Sequence, residues 1–163
     1  MAGLEDLYRE IILDHYRAPR NRGELPVPPA HKVEGFNPLC GDEVVLYLEV
    51  DKGTGTVRDV KIAGQGCSIS QASTSMMSAA VKGKSLDETR RLIRAFKALM
   101  SIHESKLEGE SDGSDLQADL EGVRLGDLEA LQGVVKFPVR IKCATLAWNT
   151  LQQALDESNA ESV

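Results

Sequence analysis

Three cysteines and one aspartate are the residues of this sequence whose types and settings suggest chemistry. Cys40, Cys67 and Cys143 have glycine, serine, aspartate, lysine and alanine among their neighbours, and Asp42 follows Cys40 by two positions. A buried structural cysteine behaves as a small hydrophobe and usually has apolar neighbours. These settings therefore favour thiols that react or bind a metal over thiols that only fill a core.

Each cysteine also falls at a boundary between predicted elements. Cys40 lies in a turn before an apolar run, Cys67 follows a glycine-rich turn and precedes a helical stretch, and Cys143 is predicted in the first turn of the last helix. Exposed N–H groups at a helix N-terminus stabilise a thiolate, so Cys67 and Cys143 are expected to ionise readily. Thiolates bind metals and attack sulfur.

If Cys40, Asp42, Cys67 and Cys143 converge in the fold, they supply three thiolates and one carboxylate. This set satisfies tetrahedral zinc, and the same thiolates also suit an iron–sulfur cluster. No two of the cysteines have the close spacing of a zinc knuckle, so spacing alone leaves open both a shared metal site and three unrelated free cysteines. Asp42 has a second interpretation, as a turn residue that accepts local N–H bonds.

The composition predicts a single globular domain, without a nucleic-acid or membrane partner. The chain has 163 residues, 42% of them apolar, and a net charge of −6, which allows one buried core but disfavours nucleic-acid binding. No run approaches the roughly 18 apolar residues of a membrane helix, and the N-terminus lacks the apolar core of a secretion signal. A cytoplasmic location is therefore expected, where disulfides are rare.

Hydrophobic periodicity predicts an α+β fold: a small antiparallel three-stranded sheet with helices packed on one face and the metal site at one end. Runs rich in β-branched residues predict strands at 33–36, 43–50 and 57–63. Helices are predicted over 4–17 and 68–82, and a third begins where Ser85 and Glu88 form a capping box.

The C-terminal part of the single domain, which is taken as residues 1–163, is less regular. Residues 106–122 are rich in glycine, serine and acid, and predict a flexible acidic insert. A short helix closed by Gly133 follows, then an extended segment over 134–141, then a helix from Cys143 to about Glu157. The helical period turns the Cys143 side chain toward the body of the protein.

The three histidines are not predicted to bind metal. His15 lies at the edge of the apolar stripe of the first helix, which favours a packed, partnered core residue. His31 and His103 have no neighbours that suggest ligation, so both are expected to be exposed to solvent.

Four stretches, in order along nearly the whole chain, resemble the IscU/NifU N-terminal family of iron–sulfur assembly proteins. They are Tyr8-Arg9-Glu10-Ile11-Ile12-Leu13-Asp14-His15-Tyr16 with Pro19-Arg20-Asn21, then Asn37-Pro38-Leu39-Cys40-Gly41-Asp42, then Gly64-Gln65-Gly66-Cys67-Ser68-Ile69-Ser70, and finally Lys142-Cys143. This combination favours the shared metal site over unrelated cysteines.

Within that family the chain is most similar to the SufU branch. Scaffold-type members usually carry a histidine just before the third cysteine and a Leu-Pro-Pro-Val-Lys segment for a chaperone. This chain has Lys142 and Phe137-Pro138-Val139-Arg140 instead. The insert at 106–122 also falls where that branch carries an insertion. These departures argue against a scaffold role and against the chaperone partnership.

The resemblance implies a zinc-dependent sulfurtransferase of the SUF system, with one zinc ion per chain. The implied zinc ligands are Cys40, Asp42, Cys67 and Cys143. Cys40 is the implied acceptor of persulfide sulfur from a SufS-type cysteine desulfurase, one of whose side chains displaces Cys40 from zinc. Arg140 is the second implied catalytic residue, a cation for free thiolate or persulfide, although an ordinary surface arginine is the alternative.

The resemblance also implies downstream SUF assembly proteins as further partners. Two other functions stay open at this point. One is a scaffold that assembles and transfers an iron–sulfur cluster, and the other is a zinc-stabilised adapter with no catalytic part.

Overall fold

A computed structural model describes residues 4–38, 40–108 and 123–161 of the chain. None of the helices in those ranges is both long and apolar enough to cross a membrane. In chain order the elements are α1 (Leu4–Arg17), β1 (His31–Asn37), β2 (Asp42–Asp51), β3 (Thr56–Gln65), α2 (Ser68–Val81), α3 (Leu86–Glu108), a 3-10 helix (Gly126–Lys136) and α4 (Pro138–Glu161).

The predicted α+β fold with a three-stranded antiparallel sheet is confirmed. The strand order is β1-β2-β3, with Asn37 paired to Asp42 and Glu43 paired to Gln65. The start of β2 therefore meets both the end of β1 and the end of β3. Because of this pairing, the turn that carries Cys40 and the segment that carries Cys67 lie at the same end of the sheet.

The core lies between the sheet and the helices. Val44, Leu46 and Leu48 alternate along β2 and are almost fully buried, as expected for a strand with one face against helices. Helices α2 and α4 pack on the strands, while α3 and the 3-10 helix pack against α4. This arrangement holds α4 against the sheet.

Trp148 fixes α4 in the core. Its side chain is fully buried and stacks on Phe96 of α3 with ring centroids 4.7 Å apart. Its indole N–H donates to the Ser73 hydroxyl of α2 at 3.2 Å, and that hydroxyl donates to the Ala144 carbonyl at 2.6 Å. The helical segment that carries Cys143 is thus tied to both neighbouring helices.

The segment before α4 differs from the prediction. The 3-10 helix continues past Gly133 to Lys136, and α4 begins at Pro138, so the predicted extended segment over 134–141 is wrong. Proline suits the first position of a helix, because the N–H that it lacks has no helical partner there. Cys143 therefore lies in the second turn of α4, and its predicted position at the helix N-terminus is also wrong.

The predicted insert falls mostly outside the described residues. Helix α3 extends through residues 106–108 to Glu108, and residues 109–122 lie beyond the described part. The side chain of His103 also lies outside it.

His15 is the buried, partnered histidine that was predicted. It is 3% exposed, with Nδ1 2.8 Å from the Ser75 hydroxyl and Nε2 2.9 Å from a carboxylate oxygen of Asp127. The Ser75 hydroxyl also accepts the N–H of Arg20 at 2.8 Å. His15 thereby links α1 to α2 and to the 3-10 helix, and it has no role at the thiols.

The expected solvent exposure of His31 is wrong. The side chain of His31 is only 19% exposed, and its Nε2 lies 2.9 Å from a carboxylate oxygen of Glu157. This hydrogen bond, with a second one from Gln153, lowers the pKa of Glu157. The pair forms because β1 packs against α4.

Candidate metal centre

Strand pairing brings Asp42 beside Cys67. Asp42 is the first residue of β2 and is fully buried, and its Oδ1 accepts the backbone N–H of Cys67 at 2.9 Å. Cys67 is the N-cap of α2, and its sulfur accepts the N–H of Ser70 at 3.4 Å. The predicted position of Cys67 at a helix N-terminus is confirmed.

Cys40 and Cys143 lie next to each other although they belong to distant parts of the chain. Cys40 is half-buried in the β1–β2 turn, where the N–H groups of Cys40 and Gly41 both point to the Asn37 carbonyl, at 3.4 and 2.9 Å. Cys143 is fully buried and faces the core, as predicted. Its sulfur lies 3.3 Å from the sulfur of Cys40 and 3.8 Å from the Val139 carbonyl.

The ligand atoms of Cys40, Asp42 and Cys143 all lie within 4.8 Å of one another. Cys67 is not within that group, but its thiol interacts with the Cys143 thiol and its N–H holds Asp42. The structure thus brings all four predicted residues to one end of the sheet. Three of them form a compact group, and Cys67 lies at its edge.

The second carboxylate oxygen of Asp42 tests whether a cation fits this site. Oδ2 is buried and has no hydrogen-bond partner among the described residues. A buried carboxylate without a compensating charge is strongly unfavourable, and a cation beside Oδ2 would remove that cost. Three thiols and one carboxylate are donors that zinc accepts in a closed tetrahedral site, so the residues fit a zinc ion.

Burial raises the pKa of Cys143, and the hydrogen bond with Cys40 acts in the same direction. Without a nearby cation this thiol therefore keeps its proton. A bound metal would favour the thiolate, because a coordinating thiol loses its proton.

Arg140 lies beside the thiols, in the first turn of α4. The negative charge of Cys67 as a thiolate, followed by a hydrogen bond with Cys143, raises the pKa of Arg140. Its side chain is exposed to solvent. The guanidinium is thus a positive charge close to Cys67 and Cys143.

Ser70 is a neighbour of the site that the sequence reasoning did not single out. It is fully buried, and its hydroxyl has no hydrogen-bond partner in the described part of the chain, while its backbone N–H donates to Cys67. The signal that could have identified it is its position three residues after an N-cap, where a backbone N–H meets the capping side chain.

Gly66 is required for the close approach of Asp42. A Cβ at this position would lie 2.5 Å from Asp42 Oδ1 and 3.2 Å from Asp42 Cα. We expect Gly66→Ala to displace the Asp42 carboxylate and to weaken zinc binding by at least about tenfold, the usual scale for disturbing a ligand's support. Competition with a coloured chelator measures the affinity.

Gly133→Ala is the matched control for this prediction. A Cβ added at Gly133 has no atom within 4 Å, so this variant should keep the affinity of the parent protein. Equal zinc affinity in both variants would contradict the assigned role of Gly66.

Comparison with known proteins identifies the family to which the chain is similar. Residues 7–119 match the family model of NifU-like N-terminal domains. The zinc-dependent sulfurtransferase SufU of Bacillus subtilis (strain 168) is 42% identical over 154 residues, which cover 94% of this chain and 92% of that protein. The iron–sulfur cluster assembly scaffold protein IscU of Streptococcus pyogenes serotype M1 is 38% identical over 158 residues, covering 97% and 88%.

Solved structures show the same fold. An iron–sulfur cluster assembly scaffold protein for the SUF system from Fervidobacterium islandicum AW-1 superimposes with a TM-score of 0.67 at 34% identity, covering 94% of this chain and 99% of that one. A NifU-like N-terminal domain from Brucella abortus shares the fold with a TM-score of 0.75 at 22% identity, covering 96% and 97%. The matched family model and the two close relatives together show that this chain belongs to the family of NifU-like N-terminal domains.

Proposed function

We propose that this protein is a zinc-dependent sulfur acceptor of the SUF iron–sulfur assembly system. It takes persulfide sulfur from a SufS-type cysteine desulfurase onto Cys40. The observation that carries this proposal is the group formed by Cys40, Asp42 and Cys143 within 4.8 Å, together with the buried Asp42 oxygen that has no hydrogen-bond partner among the described residues. The relative from Bacillus subtilis supports it, since its name combines zinc dependence with sulfur transfer.

The four ligands would be Cys40, Asp42, Cys67 and Cys143. Zinc bound to them would hold the thiols as thiolates and neutralise the Asp42 charge. Cys40 is the ligand best suited to leave this set and react. It is half-buried in a turn, whereas Cys143 is fully buried in a helix.

Gly41 gives the Cys40 turn room to move. Its φ is +69°, a conformation that glycine adopts without strain, and a Cβ there would meet no atom within 4 Å. The turn beside Cys40 is therefore not packed against other residues at Gly41.

The transfer step is a thiol–persulfide exchange. The Cys40 thiolate attacks the outer sulfur of the desulfurase persulfide, a new S–S bond forms, and the desulfurase cysteine leaves as a thiolate. Cys40 then carries the persulfide, and no external oxidant or reductant is consumed. Arg140 supplies a nearby positive charge for the thiolate and the persulfide anion.

Mass spectrometry of the cysteine peptides tests the proposed function. The zinc-loaded protein is incubated with desulfurase and L-cysteine, alkylated and digested, and a sample without L-cysteine is the control. We expect one added sulfur on the Cys40 peptide. Added sulfur only on the peptides of Cys67 or Cys143 would contradict the proposal.

A scaffold for an iron–sulfur cluster is the second candidate function, favoured by the 38% identical relative that carries that name. Metal analysis separates the two. Protein purified without added iron should contain about one zinc per chain and be colourless if it is the acceptor. Iron with visible charge-transfer absorption would favour the scaffold.

Arg140 offers a test of the electrostatics of the transfer step. Arg140→Gln should lower the rate of sulfur transfer about tenfold, because a charge-assisted contact worth about 1.5 kcal/mol is lost. Zinc content should not change, since Arg140 is not a ligand. The transfer rate of Arg140→Lys should lie between those of the parent protein and Arg140→Gln, because lysine keeps the charge but not the planar donors.

Arg94→Gln serves as the matched control. Arg94 is an exposed arginine on α3, so its replacement should leave the transfer rate unchanged. If Arg140→Gln and Arg94→Gln transfer sulfur at the same rate, Arg140 is an ordinary surface residue.

A further inference from the structure

We propose that Cys143 is a resolving thiol for the Cys40 persulfide. In the metal-free protein it discharges the bound sulfur as hydrosulfide and leaves a Cys40–Cys143 disulfide. The inference rests on the proposed function for the source of the persulfide. Its physical basis is the 3.3 Å separation of the two sulfur atoms, which is within the range of a near-attack geometry.

The step balances without a co-reactant. The Cys143 thiol gives up its proton to solvent as its sulfur attacks the inner sulfur of Cys40–S–SH, the bond from Cys143 to Cys40 forms, and the bond to the outer sulfur breaks. The outer sulfur takes the electron pair and leaves as hydrosulfide. The two cysteine sulfurs are oxidised to a disulfide, and the sulfane sulfur is reduced to sulfide.

The geometry selects Cys143 over Cys67 as the attacking thiol. Cys67 lies outside the 4.8 Å group that contains Cys40 and Cys143. Its sulfur accepts the Ser70 N–H, and its own N–H is held by Asp42. Cys67 is therefore fixed as the cap of α2, and it should stay a free thiol while the other two pair.

Cys40 supplies the movement that the disulfide needs. An S–S bond is about 2.05 Å long, so the two sulfurs must approach from 3.3 Å. Cys143 is held in α4 by the packing of Trp148 and by the bond from Ser73 to Ala144. A Cβ added at Gly41 would meet no atom within 4 Å, so no packed side chain beside Gly41 opposes a shift of the Cys40 turn.

This reaction makes the lifetime of the Cys40 persulfide depend on whether the Cys143 sulfur is bound to metal. A bound zinc ion would occupy the Cys143 sulfur, so the persulfide on Cys40 would persist. When the metal is lost, the stored sulfur is lost as well, and the acceptor thiol is blocked by a disulfide.

The test starts from zinc-loaded protein whose Cys40 has been persulfidated with inorganic polysulfide, without added reductant. Chelator is then added, released sulfide is measured, and cross-linked peptides are mapped after alkylation. We expect sulfide equal to the persulfide initially present, a Cys40–Cys143 link, and alkylated Cys67. Without chelator the persulfide should persist. Equal discharge with and without chelator overturns the proposal, as does a mixture of all three cysteine pairs, which an unfolded chain would give.

Two variants make the assignment specific. Cys143→Ser should keep its persulfide after chelation, with sulfide release at least about tenfold slower than in the parent protein. Asn149→Ala, at an exposed position of α4, should release sulfide as the parent does. Fast release from Cys143→Ser, or slow release from Asn149→Ala, overturns the proposal.

A parallel sample loaded by desulfurase and L-cysteine separates this inference from the proposed function. If the desulfurase leaves Cys40 unmodified while the polysulfide-loaded protein discharges onto Cys143, the proposed function fails and the inference stands.

Discussion

Cys40→Ala is expected to abolish sulfur acceptance and to reduce the stimulation of desulfurase turnover to background. Cys40, the proposed acceptor, is half-buried in a turn next to Gly41, which has a positive φ. Cys143 is fully buried and Cys67 is fixed as a helix cap, so neither can take its place. Alanine formation from L-cysteine, with and without the variant, measures the effect.

This variant also distinguishes an acceptor from an adapter. An adapter that acts by binding alone would still stimulate the desulfurase with alanine at this position, and full stimulation would refute the proposed mechanism. Asn149→Ala, a change at an exposed position of α4, should behave as the parent protein. Zinc content of Cys40→Ala is measured in parallel, so that loss of activity is not confused with loss of metal.

Removal of zinc is expected to lower the melting temperature by about 10 °C. The four proposed ligands lie in the β1–β2 turn, in β2, at the N-cap of α2 and in α4, so a bound metal would join elements that are distant in sequence. Zinc present at a thousandfold excess over its dissociation constant stabilises the folded chain by about 4 kcal/mol. For a domain of this size that free energy corresponds to a shift of this order. Calorimetry before and after chelation measures it, and an unchanged melting temperature would contradict the metal site.

Asp42→Asn should weaken zinc binding and yet stabilise the metal-free form. A general loss of packing would not produce this combination. The asparagine oxygen can still accept the Cys67 N–H, but the buried negative charge is gone. We expect weaker zinc binding, and a metal-free form that is more stable than the metal-free parent by on the order of 1 kcal/mol, because an uncompensated buried carboxylate is removed. Destabilisation of both forms would indicate that Asp42 acts only through packing.

The sheet and most helices could be predicted because their residues carry strong local signals. Alternating Val44, Leu46 and Leu48 are typical of a strand with one buried face, and the capping box of Ser85 marks the start of α3. The structure around Pro138 could not be predicted, because proline is found both where a helix is broken and at the first position of a helix. The tertiary contacts of the 3-10 helix decide between the two.

The site was predictable as a set of residue types but not as a geometry. The start of β2 lies between the ends of β1 and β3, and this brings together Cys40, Asp42, Cys67 and Cys143. The spacing of these residues along the chain does not predict that strand pairing. Nor could the sequence show that Cys40 and Cys143 are in direct contact while Cys67 lies apart. The absence of a Cβ at Gly66 matters only once Asp42 lies against it.

The contacts of Trp148 with Phe96 and Ser73 fix Cys143 in the hydrophobic interior. Cys40, by contrast, belongs to a surface turn. An ion bound between them would couple the two. Its occupancy would therefore depend on how well the interior is packed. A substitution deep inside the protein, remote from every ligand, would register first as altered metal retention, before any change in secondary structure.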